Sequence, residues 1–171
     1  MNTKSDSFLR SGSGSPEGDS IMGEEITDKK EVEEILLNSP YLRLGLCNDG
    51  IPYIVPMSFG YKNGAIYLHS SKKGKKIGIL KTNTNVCFET ETDYEMVPSD
   101  HPCAYDMKYR SVIGFGTATI LEDEEEIRKG LDVIIERYHG GNYDPKSLNT
   151  GGLAVIRIDV EEMKGRKNGI D

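Results

Sequence analysis

Lys72, Lys73, Lys75 and Lys76 stand around Gly74, directly after His69-Ser70-Ser71. From Tyr61 to Lys81 the chain carries six lysines and no acid, although 28 acidic against 21 basic residues give the whole protein a net charge of −7. Ammonium groups, serine hydroxyls and the free amides at the start of a short helix together suit a phosphate. Each charge-assisted hydrogen bond to such a group contributes roughly 1.5–3 kcal/mol. The competing reading is a solvated lysine face, which the same charges describe.

Two further stretches bear on a ligand. Ile54-Val55-Pro56-Met57-Ser58-Phe59 places apolar residues on both faces of a strand, with Pro52 and Pro56 unable to donate to a ladder. Such a strand is an ordinary edge with one face in the core, or a wall for a flat ring or a partner subunit. Tyr109-Arg110-Ser111-Val112 opens another strand. Arg110 and Ser111 there could hydrogen-bond a carbonyl or phosphate, or Arg110 could pair with the acids between Glu91 and Asp106. His101 and Cys103 are two apart, but no second pair stands at zinc-site spacing, so no metal is expected. Cys47 and Cys87 read as small apolar strand residues. There is no Walker motif, no G-x-S-x-G elbow and no glycine fingerprint between a strand and a helix.

The elements that would position these residues follow from periodicity and turn chemistry. Residues 1–23 are rich in Ser, Gly and Asp and read as a disordered tail or a cloning remnant, leaving 24–171 as a single domain. Asp28 with Glu31 resembles a capping box, and Val32, Ile35 and Leu36 continue at helical spacing to Asn38-Ser39-Pro40. Leu42, Leu44 and Leu46 alternate with period two. Asp49-Gly50 and Asn63-Gly64 are hairpin turns. They predict a meander whose second strand runs from Pro52 to Tyr61 and whose third runs from Ala65 to His69. A short helix is expected over 75–82, a fourth strand over 86–90, a long acidic loop over 91–108 and a fifth strand over 109–121. An acid-led helix follows to Tyr138 and stops at Gly140-Gly141, and a sixth strand covers 153–160. Six mostly antiparallel strands with packed helices suggest a small barrel of the α+β class.

Composition narrows the function. At 171 residues the chain has room for one domain. Net negative charge disfavours nucleic acid, no run of about 18 apolar residues suggests a membrane span, and three widely spaced cysteines fit a reducing cytoplasm.

Leu42-Arg43-Leu44-Gly45-Leu46, Asp49 through Pro56, Ile66 through Ser70, Gly74-Lys75-Lys76, Val86 through Glu89 and Tyr109 through Gly116 occur in an order and spacing that resemble the pyridoxamine 5′-phosphate oxidase-related flavoproteins. The nitroimidazole-resistance (Nim-type) branch is the most similar. The resemblance covers about residues 24–164. It implies a six-stranded antiparallel split β-barrel, a homodimer, and FMN where the subunits meet. It also implies that His69, Ser70, Lys75 and Lys76 hold the FMN phosphate and that Val55, Pro56, Met57 and Ser58 lie along the flavin ring. Arg110 and Ser111 would reach the flavin from the neighbouring side, with His69 the candidate beside the ligand. An FMN-dependent oxidoreductase acting on a small-molecule electron acceptor, such as a nitro-aromatic, is the activity implied. The alternative is a non-catalytic flavin- or haem-binding barrel. Pyridoxal phosphate synthesis is not expected, because the family's C-terminal Trp has no counterpart in a chain without Trp.

Overall fold

The structure, a computed structural model, describes residues 23–101, 103–140 and 151–170. Residues 1–22, which make up nearly all of the expected tail, and Gly141 lie outside the described residues. The element order is β1 (Glu24–Ile26), α1 (Lys29–Asn38), β2 (Leu42–Asn48), β3 (Ile51–Met57), β4 (Phe59–Lys62), β5 (Ala65–Ser71), α2 (Lys75–Leu80), β6 (Asn85–Val97), β7 (Asp106–Ile120), α3 (Glu124–His139) and β8 (Leu153–Asn168).

Local chemistry sets many of the boundaries. The side chain of Asp28 accepts from Lys30 N at 2.8 Å and starts α1, and Asp123 does the same for Glu125 N and Glu126 N at the head of α3. Gly140, at φ 70°, ends α3 in the left-handed conformation. Both predicted hairpins are present. Asp49-Gly50 and Asn63-Gly64 have both central residues at positive φ, so each closes a two-residue loop whose twist matches its strands.

The strands form one antiparallel sheet in the order β3-β2-β6-β7-β8-β5-β4, with β1 added against β8. β3 and β4 stand at opposite ends of that order, yet Ser58 alone separates them in sequence. Two edges joined by one residue must be close in space, so the sheet is rolled into a barrel that is left split between β3 and β4. This is the expected mainly antiparallel split barrel with packed helices. Its strands number eight among the described residues rather than six. The expected second strand divides at Ser58, and β1 is too short to show periodicity. The acidic loop expected over 91–108 is mostly strand. β6 continues to Val97 and β7 begins at Asp106, past an irregularity between Thr92 and Glu95. β8 runs on to Asn168, where it still pairs with β7. Acids on a two-stranded ribbon face water on one side and leave no apolar alternation to read.

Leu42, Leu44, Phe59, Leu68, Phe88, Val112, Ile156 and Ile158 fill the barrel, with Val32, Ile35 and Leu36 of α1 and Ile77, Ile79 and Leu80 of α2 packed against them. A second cluster of Leu121, Leu131 and Val155 seats α3. No helix among the described residues is long and apolar enough to cross a membrane.

Candidate functional site

Helix α2 is six residues long and lacks a side-chain cap at Gly74, which has φ 119°. Its first two side chains reach across to β3. Lys75 Nζ lies 4.6 Å from the centre of the Tyr53 ring, and Lys76 Nζ lies 2.8 Å from Met57 Sδ. Burial lowers the Lys76 pKa from its ordinary value, because a half-buried ammonium loses hydration that a thioether cannot replace. Among the described residues no carboxylate lies within ion-pair distance of Lys72, Lys73, Lys75 or Lys76. The cluster is therefore positive and uncompensated on the side that faces β3.

The predicted residues fall into two groups. Tyr53 and Val55 pack against the barrel core, Met57 is buried, and Pro56 and Ser58 are exposed. Extending the Phe59↔Leu68 pairing by one residue sets Ser58 opposite His69, and both are exposed on the outer side. Met57, Ser58, His69, Lys75 and Lys76 thus gather around the split between β3 and β4, and Ser70 follows on β5. Lys72 instead turns to a different cavity of about 330 Å³, shared with Ile77, Lys81 and Ile127.

Arg110 and Ser111 stand apart from that group within one chain. Arg43 pairs with both Pro56 and Glu89, and Glu89 with Ile113, so Ser111 lies near the level of Met57 along the strands but three strands away around the barrel, roughly 14 Å at about 4.8 Å per strand. Consecutive strand residues point to opposite faces, so Ser111 faces outward and Arg110 does not share its side. Arg110 forms an ion pair with Asp93 at 3.7 Å, the acidic partner foreseen as its alternative.

Sequence reasoning missed two features. Tyr53 supports Lys75, and an aromatic residue four positions before a predicted ring-binding methionine was the available signal. Arg43 anchors an ion cluster on the outer face. It bonds Glu89 at 2.9 Å, Glu91 at 2.8 Å and Tyr41 Oη at 3.1 Å. Hydrogen bonding to Arg43 holds the Glu91 carboxyl below the usual range, while burial and the adjacent Glu91 push Glu89 up. Elsewhere, a cavity of about 480 Å³ between α1, β1 and β8 is lined by Glu33, Tyr61 and Met163. Burial and a bond to Glu33 raise Tyr61 to about 12, but none of the predicted ligand residues lines this space.

The fold is a split barrel with a cationic corner beside its open seam, and ammonium groups of that kind attract anions. The chain belongs to the pyridoxamine 5′-phosphate oxidase family, whose sequence profile matches residues 28–167. Within that family it stands with the Nim-type branch. A candidate 5-nitroimidazole antibiotic resistance protein from Bacteroides thetaiotaomicron is 34% identical, with a TM-score of 0.72 over 84% of this chain and 86% of that one. The flavocytochrome Anf3 from Azotobacter vinelandii superposes with a TM-score of 0.73 at 20% identity, covering 85% of this chain and 70% of its own. An FAD- and haem-binding protein from Mycobacterium smegmatis gives 0.74 at 18% identity, covering 85% and 74%. At those identities the last two share the fold. No curated protein matches the sequence significantly.

Proposed function

We propose that this protein is a homodimeric FMN-dependent oxidoreductase that reduces flat, electron-poor acceptors of the nitro-aromatic kind. The observation that carries the reading is the convergence of Lys75 and Lys76 on β3 with no carboxylate to neutralise them. A half-buried ammonium beside a thioether is poorly solvated, and a phosphate dianion supplies the missing partner. Lys75, Lys76 and Ser70 would hold that phosphate. The backbone of Val55, Pro56, Met57 and Ser58 would border the ring, and His69 would stand beside Ser58 at the split. Arg110 and Ser111 lie three strands from β3 within one chain, so they would serve the site from a second copy.

Bound flavin would carry the electrons. The protein's share is to bind it, orient it and leave one ring face open to the acceptor. Similarity to a nitroimidazole-resistance protein at 34% identity supports the acceptor class.

The test is FMN affinity in Lys75→Ala/Lys76→Ala. Loss of two charge-assisted hydrogen bonds should weaken binding at least 100-fold at roughly 1.5–3 kcal/mol each. Unchanged affinity in a folded double variant rejects the phosphate assignment. The absorption spectrum of the purified protein separates flavin from haem, and a haem spectrum favours the non-catalytic alternative. Consumption of a nitroimidazole by the reduced holoprotein checks the acceptor.

A further inference from the structure

β3 and β4 follow one another in the chain but belong to different edges of the sheet. Met57, the last residue of β3, pairs with Leu42 of β2, and Phe59, the first residue of β4, pairs with Leu68 of β5. Among the described residues the two strands do not pair with each other. Ser58 joins the edges covalently, but no ladder of hydrogen bonds sets their separation. The width of the seam is left to whatever side chains span it.

The end of α3 spans it. The helix is seated on the β4 side, where the backbone of Val133 and Ile134 packs directly over Gly60. Its residue Tyr138 then reaches both edges. Phe59 is buried, and its backbone N–H donates to Tyr138 Oη at 3.2 Å. The Tyr138 hydroxyl in turn donates to Pro40 O at 3.0 Å, two residues before β2 begins. One phenol thus uses its acceptor on the first amide of β4 and its donor on the approach to the β2–β3 hairpin.

Arg137 makes the same span by other means. Its Nη2 donates to Leu36 O at 3.2 Å and to Ser39 O, and its guanidinium carbon stands 3.9 Å from the centre of the Phe59 ring. Leu36 and Ser39 lie at the C-terminal end of α1, where carbonyls lack helical partners and a cation is favoured. Among the described residues no carboxylate lies within ion-pair distance of Arg137, and its Nη1 is buried without a hydrogen-bond partner. That placement carries a desolvation cost that an arginine free in water avoids. Both residues therefore tie the β2 side of the seam to β4, one residue away from Ser58.

We propose that Tyr138, with Arg137 beside it, is a positioning residue for the ligand at the seam: it fixes the gap between β3 and β4, and with it the backbone of Met57 and Ser58. This rests on the flavin reading of the preceding section and names what holds its ring site to width. Tyr138 would act through Phe59 and Pro40 rather than by touching the ligand. A flat ring is sensitive to such a gap, because an opening of about 0.5–1 Å forfeits a quarter to a half of the dispersion contact. Lys75 and Lys76 start from α2 and not from this tie, so the phosphate end of the ligand should not feel its loss.

The test compares full-length Tyr138→Phe, which keeps the ring and removes the hydroxyl, with Asp123→Ala, which weakens the same helix at its other end. In Tyr138→Phe the Phe59 amide should exchange with deuterium faster than in wild type. Its affinities for FMN and for riboflavin, which lacks the phosphate, should fall by the same factor, about fivefold, as one neutral hydrogen bond predicts. The visible circular dichroism of the bound flavin should change as well. Asp123→Ala should lower the melting temperature and leave both affinities and the dichroism at their wild-type values. A Tyr138→Phe protein that binds both flavins as wild type does overturns the positioning role. Equal weakening in the two variants also overturns it, since the effect would then follow helix stability alone. A wild-type protein that binds neither flavin overturns the flavin reading instead, and unchanged exchange at Phe59 in Tyr138→Phe overturns the tie itself.

Discussion

The ammonium of Lys76 sits 2.8 Å from the thioether of Met57, joining the first turn of α2 to the last residue of β3. A thioether is a weak acceptor, so this contact replaces little of the hydration that the cation gave up. The lowered Lys76 pKa is the electrostatic signature of that loss, and it has consequences for both stability and binding.

In the absence of FMN, Lys76→Met should raise the melting temperature at neutral pH, because the variant removes a poorly solvated charge and keeps the stem's packing. The wild-type protein should gain stability as pH rises between the depressed folded pKa and the ordinary value of 10.5. In that window the unfolded chain binds the extra proton and the folded one does not; below it, both are protonated and the burial cost is fully present. FMN affinity should fall over the same window as the ammonium is lost. Melting curves with and without FMN, from pH 7 upward, read all three. A variant less stable than wild type that keeps full FMN affinity would show that Lys76 serves packing alone.

Arg43→Met should destabilise the protein by about 1–3 kcal/mol at pH 7, since it strands two half-buried carboxylates. Glu91, whose pKa is depressed by Arg43, contributes stability above its ordinary value of 4.5 that is lost as pH falls through the folded pKa. Glu89, raised by burial and by Glu91, acts in the opposite sense, so protonating it relieves strain. The difference between variant and wild type should therefore shrink on acidification. Urea unfolding at pH 7 and pH 4 measures it, and a difference that grows toward pH 4 would contradict the ion-cluster account.

Gly60→Ala should cost about 1–3 kcal/mol through overpacking. A Cβ at that position would come within 2.6 Å of Val133 O and 2.8 Å of Ile134 N, both backbone atoms of α3 that cannot rotate away. The strain falls on β4, next to Ser58, so FMN binding should weaken along with stability. Denaturant unfolding and an FMN titration of the same preparation check the coupling. Unaltered stability would show that α3 can slide off the sheet.

Asp123→Ala should remove the cap of α3 and cost about 1 kcal/mol, a fall of about 2–4 °C in melting temperature for a domain of this size. Asp123→Asn should restore most of it, because the amide oxygen still accepts from Glu125 N and Glu126 N. Equal losses in both variants would assign the effect to charge rather than to the capping bonds.

Turns, caps and the cationic segment were legible in the sequence because each depends on a few adjacent residues. Asp49-Gly50 and Asn63-Gly64 close hairpins through their own backbone preferences, Asp28 and Asp123 cap helices that begin beside them, and the lysines from 72 to 76 carry their charge wherever they stand. The strand division at Ser58 was hidden, since Ile54 to Phe59 reads as one apolar run until the sheet rolls and its two edges meet there. So were the extensions of β6, β7 and β8, whose polar outer residues show no alternation and are held by cross-strand bonds to distant segments. The seat of Lys76 on Met57, Arg43 beside Glu89 and Glu91, and the pairing of Ser111 with both Glu91 and Arg166 were decided by register across strands far apart in the chain. Register is set by the packing of the whole barrel: a slip of one residue turns every outward side chain inward, and no local stretch of sequence carries that information.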